Sequence, residues 1–282
     1  MARLSKEASR RHSQAQQLVA LHRDLDEEER GFVLANYQES ANPVHGLDDA
    51  YFTPRELALD FCVEVVGDRL IDLCAGIGHL AYHAADPTAP HRARRAPSEI
   101  VRIERNPEYV QVGRKVVPQA RWIEADVLDL PATLGTFNCA FGNPPFGTVP
   151  RSGNPTAYTG SRFEYHAIAV AERLADFGVF SIPQSLARLR HSGLSHPVWP
   201  RDAEYQRFTG QTGLELTSGC IATSGYARQW RGVAPAVEVV VCDFESARVG
   251  PLAAHRCQEP GPTSASLVAP SSPSPGAGVL WR

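Results

Sequence analysis

The stretch Leu70-Ile71-Asp72-Leu73-Cys74-Ala75-Gly76-Ile77-Gly78 decides the fold of this chain. Its first half is a short apolar run that is typical of a buried strand, and its second half is a glycine turn that leads into a helix. Glycines in such a turn let the backbone approach a ligand at the carboxyl end of the strand. Because more strand and helix patterns follow in alternation, the stretch predicts a parallel α/β sheet.

Strand patterns recur along the chain, and helical patterns separate most of them. The predicted strands comprise residues 69–74, 99–104, 120–124, 137–142, 178–182, 214–222 and 236–244. No clear helix lies between the last two strands, so we expect them to finish the sheet as an antiparallel hairpin. Short apolar strands that alternate with helices predict a doubly wound, mostly parallel sheet.

Composition divides the chain into three segments. Residues 1–50 form an N-terminal segment in which two helices are predicted, and residues 51–245 contain all the predicted strands. Residues 246–282 are rich in Pro, Ser, Gly and Ala and hold few large apolar side chains, which predicts a disordered tail. A further helix is expected from residue 54 to about 65, with Thr53 as its N-cap and Glu56 completing a capping box.

Three acidic residues, Asp72, Glu104 and Asp126, lie at or just after the ends of the first three strands. A dinucleotide-binding loop would carry a third glycine where this chain has Ala81, and it would hold a pyrophosphate. An acid at the first strand end suits a cationic amino group instead. The second can accept both hydroxyls of a ribose, and the third can accept from an adenine amino group. This ordered set predicts S-adenosylmethionine as the cofactor.

The fourth strand leads into Asn143-Pro144-Pro145-Phe146-Gly147. Such residues also occur in ordinary turns, but this segment lies at the carboxyl end of a strand, where ligand sites form in α/β folds. The side-chain oxygen of Asn143 and the carbonyl of Pro144 can accept the two N–H bonds of an adenine amino group. Phe146 offers a face for base stacking, worth about 1–3 kcal/mol. Since a sulfonium methyl is already activated, positioning and electrostatics suffice for its transfer.

Four segments of the chain resemble, in the same order, the motifs of class I amino-methyltransferases, namely Asp72 to Gly78, Glu104, Asp126 and Asn143 to Phe146. Tyr51-Phe52-Thr53-Pro54 resembles the upstream motif of the gamma-class DNA adenine methyltransferases, which packs near the methionine end of the cofactor. The resemblance covers about residues 50–245. It implies a Rossmann-like, seven-stranded class I methyltransferase fold and methyl transfer to the N6 amino group of adenine in nucleic acid, with DNA slightly favoured over RNA.

The motifs and the resemblance together give a set of candidate site residues. The expected cofactor-binding residues are Phe52, Thr53, Pro54, Asp72, Cys74, Ala75, Gly76, Gly78, Glu104, Arg105, Asp126, Val127 and Asn143. The expected catalytic residues are Asn143, Pro144, Pro145 and Phe146.

Arginines interleaved with aromatic residues suit phosphates and stacked bases, although such aromatics can equally cap the sheet. The turn between the last two strands is expected at the active edge, which makes Arg228, Trp230 and Arg231 candidates for substrate binding. The loop after the fifth strand, residues 184–211, should reach the same edge. A basic cluster in residues 91–95 should lie at the opposite edge.

Two other functions remain open. Protein glutamine methyltransferases carry a similar motif, usually with tyrosine last, so Phe146 weighs against them. A catalytically silent module that binds S-adenosylmethionine or nucleic acid has no need of Asp72, Asn143 and Phe146 together.

Gamma-class enzymes of restriction systems usually carry a large recognition domain after the catalytic core, where this chain has only its Pro- and Ser-rich segment. Any specificity is therefore expected from loops or from the N-terminal helices.

Bulk properties set further expectations. The net charge of −3 leaves nucleic-acid binding to local basic patches. The N-terminus does not resemble a signal peptide, and no apolar run is long enough to span a bilayer, so a cytoplasmic protein is expected. His79 and His83 have a spacing that can bind a metal, but no third ligand is near in sequence, so no metal is expected.

Overall fold

The computed structural model describes residues 5–38, 51–88, 96–151, 153–231 and 234–249. The strands in these ranges are β1 (Arg69–Asp72), β2 (Glu99–Glu104), β3 (Arg121–Glu124), β4 (Phe137–Gly142), β5 (Ala175–Pro183), β6 (Thr217–Ser218) and β7 (Val237–Asp243). The α-helices are α1 (Lys6–Val19), α2 (Glu27–Asn36), α3 (Arg55–Phe61), α4 (His79–Ala84), α5 (Pro107–Val116), α6 (Phe163–Ala171), α7 (Ala203–Thr212) and α8 (Phe244–Val249).

The strands form one seven-stranded sheet in the order β3-β2-β1-β4-β5-β7-β6. Strands β1 to β5 are parallel, while β7 is antiparallel to both β5 and β6. The register pairs Asp72 with Phe141 and Glu104 with Glu124, so the carboxyl ends of the first four strands meet at one edge. The predicted mostly parallel sheet with a final antiparallel hairpin is therefore confirmed.

Both faces of the sheet are buried, as the continuous apolar strands predict. Leu70, Cys139 and Val179 belong to the apolar layer beneath helices α3, α4 and α5. Ile71 and Phe180 belong to the opposite layer, which contains residues of α6 and α7. The carboxyl edge of the parallel strands is thus held between two packed layers.

The two predicted N-terminal helices are confirmed as α1 and α2. Helix α2 begins with a capping box, in which Asp26 accepts from the Glu29 amide at 2.8 Å and Glu29 accepts from the Asp26 amide at 3.0 Å. The Lys115 ammonium of α5 donates to the carbonyl oxygens of Leu21 and Arg23 at 2.6 and 2.9 Å, between the two helices. These helices therefore share the apolar layer of α5 and do not stand apart from the sheet.

Helix α3 differs from its prediction at both ends. Pro54 is its N-cap and no side chain caps it, so the expected capping box of Thr53 and Glu56 is wrong. The Thr53 hydroxyl instead accepts a hydrogen bond from the Asn143 side chain at 3.1 Å. The helix ends at Phe61 rather than near residue 65, and turns follow it.

The region after β5 holds a further difference. Helix α7 lies within the segment that the sequence analysis treats as a loop. Its signals are the Asp202 N-cap, which accepts from the Tyr205 amide at 2.8 Å, and Gly213, which ends the helix at φ +75°. Strand β6 is much shorter than predicted, because the Cys220 amide donates to Glu64 at 2.7 Å and the chain leaves the sheet there.

Two predictions lie outside the described residues, namely the basic cluster in 91–95 and the tail from residue 250 onward. The described chain beyond β7 forms the short helix α8. No helix among the described residues is both long and apolar enough to cross a membrane.

Candidate functional site

A pocket opens at the carboxyl edge of the parallel strands and has a volume of about 760 Å³, its open mouth included. The predicted site residues that line it are Phe52, Thr53, Cys74, Ala75, Gly76, Glu104, Arg105, Asp126, Val127, Asn143 and Pro145. The structure therefore brings together residues from the 51–54 segment and from the ends of β1, β2, β3 and β4.

Some predicted residues lie elsewhere. Pro54 begins α3, and Gly78 packs against the core, where an added Cβ would lie 3.3 Å from Trp122 and from Val117. The pocket also has walls that the sequence analysis missed, including Tyr51, His79, Asn106, Tyr109 and Phe163. Asn106 and Tyr109 can be predicted as pocket residues from the sequence, because they lie at the start of the helix that follows β2.

The glycine turn is tied to the end of β2 by Glu104. One carboxylate oxygen accepts from the Gly76 amide at 2.8 Å, and the other accepts from the Asn106 amide at 2.8 Å. Burial raises the pKa of Glu104 to about 7, although these hydrogen bonds oppose the rise. Each carboxylate oxygen can accept more than one hydrogen bond, so Glu104 can still bind hydroxyl groups in the pocket.

Asp72 is completely buried and does not line the pocket directly. Neither of its carboxylate oxygens has a hydrogen bond of good geometry within the described residues. Burial raises the pKa of Asp72 to about 7, while the positive charge of Arg102 acts to lower it. A Cβ on Gly142 would lie 3.7 Å from the Asp72 Oδ1 atom, so the glycine at the end of β4 leaves space beside this carboxylate.

Arg102 stands beside Asp72 in the neighbouring strand, and the two are register partners. It is also completely buried. Its guanidinium donates to the carbonyl oxygens of Ala81 and Val117 at 2.9 and 3.3 Å and lies 5.1 Å from the centre of the Trp122 ring. Burial lowers the pKa of Arg102 to about 9, so near neutral pH it still supplies a positive charge next to the acid at the end of β1.

The side chain of Asn143 is held in one orientation. Its Nδ2 donates to the Tyr51 carbonyl at 2.8 Å and to the Thr53 hydroxyl at 3.1 Å. Because a carbonyl oxygen can only accept, this contact assigns the amide nitrogen. The Oδ1 atom is buried and has no hydrogen-bond partner within the described residues. Asn143 thus presents an unused acceptor in a residue that lines the pocket.

The rest of the Asn143–Gly147 segment is fixed as well. The ring of Phe146 stacks on Tyr51 with ring centres 5.7 Å apart. Gly147 has φ +87°, its amide donates to the buried Glu164 carboxylate at 2.6 Å, and its carbonyl accepts from the Phe163 amide at 2.9 Å. Pro144 is buried beside the pocket-lining Pro145. This segment is therefore pinned to the start of α6.

The three predicted substrate residues do not form one surface. Arg228 is exposed, in a 3-10 helix at Thr223–Gln229. Trp230 is buried, and its ring packs edge-on against Tyr51 at 6.4 Å. Arg231 donates to the carbonyl oxygens of Leu34, at 2.6 Å, and of Tyr37. The side chains of Trp230 and Arg231 are thus engaged with the protein itself, and only Arg228 faces open solvent.

The histidine pair has ordinary partners. The Nε2 atom of His79 lies 3.0 Å from the Leu34 carbonyl, and the ring of His83 packs edge-on against Tyr82. In the part of the chain that the structure describes, no group of three or more His, Cys, Asp or Glu side chains could hold a metal ion.

No protein-family model and no curated protein sequence matches this chain. Solved structures do match it. A protein from Vibrio vulnificus, assigned as the modification subunit of a type I restriction enzyme, matches with a TM-score of 0.52 and 15% sequence identity, over 80% of this chain and 51% of that chain. The type I restriction-modification methyltransferase subunit from Streptococcus thermophilus matches with a TM-score of 0.50 and 13% identity, over 78% of this chain and 51% of that chain.

A third structure, a Listeria monocytogenes protein assigned to the class I S-adenosylmethionine-dependent methyltransferases, has a TM-score of 0.51 and 9% identity, over 81% of this chain and 68% of that chain. At such low identity these likenesses concern the fold. The chain has the class I methyltransferase fold, as its sheet order and antiparallel hairpin also indicate. It spans about half the length of the two restriction-system subunits.

Proposed function

We propose that this protein is an S-adenosylmethionine-dependent methyltransferase that modifies the N6 amino group of adenine in nucleic acid, with DNA slightly favoured over RNA. The observation that carries the proposal is the unpaired Oδ1 atom of Asn143, which is held at the end of β4 in a residue that lines the pocket. A buried acceptor without a partner costs free energy of about 1–3 kcal/mol, so a ligand that donates to it is favoured.

The pocket residues suit the cofactor. When bound, S-adenosylmethionine supplies a methyl group that its sulfonium charge already activates. Glu104 would hold the ribose hydroxyls, Asp126 would accept from the adenine amino group, and Asp72 would balance the charge of the methionine amino group. These roles follow from the order of the acids along the edge and from the unsatisfied buried carboxylate of Asp72.

Asn143 and Pro144 would then position the accepting amine. The amine donates one N–H to the Asn143 Oδ1 atom and the other to the Pro144 carbonyl, which orients its nitrogen toward the methyl group. The stacked pair of Tyr51 and Phe146 provides an aromatic surface for the planar base. That two solved structures of this fold belong to restriction-system subunits supports a nucleic-acid substrate.

The first prediction concerns Asn143→Ala. This change removes one of the two acceptors aimed at the reacting nitrogen, and such a loss typically lowers the rate by about 10²–10³-fold. The measurement is single-turnover transfer of labelled methyl to adenine-containing DNA or RNA. Cofactor affinity, measured in parallel by calorimetry, should change less than about threefold, because Asn143 acts mainly on the amine.

Thr148→Ala is the matched control, since Thr148 is exposed just beyond the same segment. It should transfer methyl at the wild-type rate. An Asn143→Ala variant as fast as wild type would mean that the segment is only a turn. If the label appears on a protein glutamine and on neither nucleic acid, the site chemistry survives but the adenine assignment is wrong.

A further inference from the structure

The loop between β5 and α7, residues 184–202, leaves the sheet at the same edge as the proposed reaction site, and we call it the β5–α7 loop. Strand β5 is the neighbour of β4, and Phe180 is the register partner of Gly142. Strand β5 runs parallel to β4 and continues to Pro183, so the loop starts at the same edge as the Asn143–Gly147 segment, a few residues beyond the end of β4. A substrate larger than the pocket would therefore contact this loop.

The charge of this loop is mostly positive. Residues 184–202 contain three arginines, two histidines and one acidic residue, Asp202, whose carboxylate caps α7. Arg188 is paired with Glu215 at 2.5 Å. Arg201 is exposed, as is Arg228 on the adjoining 3-10 helix, and neither forms an ion pair within the described residues. The surface that remains is therefore complementary to a polyanion.

Three large apolar side chains of the loop are exposed. Leu194 and Val198 are 44% and 46% exposed, and the side chain of Trp199 is 66% exposed. Most tryptophans bury their large rings, so an exposed one two residues from the unpaired Arg201 indicates a surface that binds. Proteins bind single-stranded nucleic acid with aromatic side chains flanked by positive charge, because the bases stack on the rings and the phosphates contact the charges.

Hydrogen bonds tie the loop down just before Trp199. The backbones of Arg190 and Val198 exchange two hydrogen bonds of 2.9 Å, so the residue next to Trp199 is fixed. The completely buried carboxylate of Glu238 accepts from the amides of His191 and Ser192 at 2.8 and 2.9 Å and from the Ser192 hydroxyl at 2.6 Å. A loop anchored in this way loses little conformational freedom when it binds.

We propose that the β5–α7 loop binds the nucleic acid next to the adenine that is methylated, with the Trp199 ring stacked on a neighbouring base and Arg201 near the phosphates. Stacking needs an exposed base face, so the preferred substrate has an unpaired or locally opened strand beside the target adenine. The inference rests on the proposed function, because it names where the substrate of that same site is bound.

The test compares Trp199→Ala with Trp199→Phe and with Val66→Ala. Val66 is 52% exposed and lies just before β1, at the opposite edge of the sheet. Binding of a fluorescein-labelled single-stranded oligonucleotide with one adenine is measured by anisotropy, in the presence of S-adenosylhomocysteine. Trp199→Ala should raise Kd by about 5- to 150-fold, the loss expected for one stacked base. Trp199→Phe should recover most of the affinity, and Val66→Ala should match wild type.

Cofactor affinity should be unchanged in all three variants. The inference is overturned if wild type methylates nucleic acid while Trp199→Ala binds it equally well, and the proposed function then stands. It is also overturned if Val66→Ala loses as much affinity as Trp199→Ala. A wild-type protein that methylates a protein glutamine, and neither DNA nor RNA, instead contradicts the proposed function and the inference with it.

Discussion

At the residue scale, Asp72 combines complete burial with two oxygens that lack good hydrogen bonds within the described residues. Its pKa rises from an ordinary value of 3.8 to about 7, mainly through burial. The folded state therefore favours the protonated acid. The cost of the buried charge is absent below about pH 4, grows as the pH rises, and levels off above about pH 7. The difference in pKa sets an upper limit of about 4 kcal/mol on this cost.

Asp72→Asn should therefore raise the melting temperature of the cofactor-free protein at pH 8 by several degrees and change it little near pH 4. The same change should weaken S-adenosylmethionine binding at least tenfold, because under the proposed function it removes the charge that balances the methionine amino group. Thermal unfolding at the two pH values and calorimetry are the measurements. Asp129→Asn, at an exposed position, should change neither quantity. A destabilised Asp72→Asn protein at pH 8 would show that the buried charge is already compensated.

The sequence predicts the residues of the Asn143 motif but not the contacts that orient the Asn143 side chain. The motif around Asn143 was visible because its residues are adjacent in the chain. The contacts that orient its side chain join it to Tyr51 and Thr53, over sequence separations of 92 and 90 residues. Local capping rules gave Thr53 a different role, since they cannot take account of a partner brought close by the fold.

At the element scale, helix α5 carries a glycine where helix propensity disfavours one. An added Cβ at Gly113 would lie 2.1 Å from the Trp122 ring, on which the Arg102 guanidinium also packs. Gly113→Ala should therefore destabilise the protein by about 1–3 kcal/mol through overpacking, although alanine favours a helix by up to about 1 kcal/mol. Chemical denaturation measures this difference in the free energy of unfolding.

Gly210→Ala in α7 is the matched control, because nothing lies within 4 Å of its added Cβ. It should stabilise the protein by about 0.5–1 kcal/mol, as expected for a glycine replaced in an exposed helix. If Gly113→Ala is as stable as Gly210→Ala, the Trp122 ring moves aside without cost and the glycine is not required by packing.

The elements themselves were predicted unevenly. Strands β2 and β4 have the predicted bounds, because strong apolar patterns define them. Helix α7 was missed because its only fully buried side chain is Phe208, which leaves no apolar stripe to recognise. The length of β6 depends on the contact between Cys220 and Glu64, which no local pattern shows.

At the scale of the whole molecule, Trp230 and Arg231, which precede β7, connect the pocket to the N-terminal helices. Arg231 bonds to carbonyl oxygens near the end of α2, at sequence separations of 194 and 197 residues. The buried Trp230 packs on Tyr51, at the mouth of the pocket. The topology predicted this segment at the edge of the sheet where the pocket lies, but it could not tell which arginine points outward, since that depends on where α2 packs.

This placement separates two neighbouring arginines by function. Arg231→Ala removes two charge-assisted hydrogen bonds to α2, each worth about 1.5–3 kcal/mol. It should lower the melting temperature and speed amide hydrogen exchange near Leu34 and Tyr37, with little effect on the salt dependence of nucleic-acid binding.

Arg228→Ala removes an exposed charge, so it should leave the melting temperature unchanged. If Arg228 contacts a phosphate, as its expected role in substrate binding implies, the slope of log affinity against log salt should fall by about 0.7–0.9. The reverse pattern, with the salt slope reduced only in Arg231→Ala, would mean that Arg231 leaves α2 to bind the substrate.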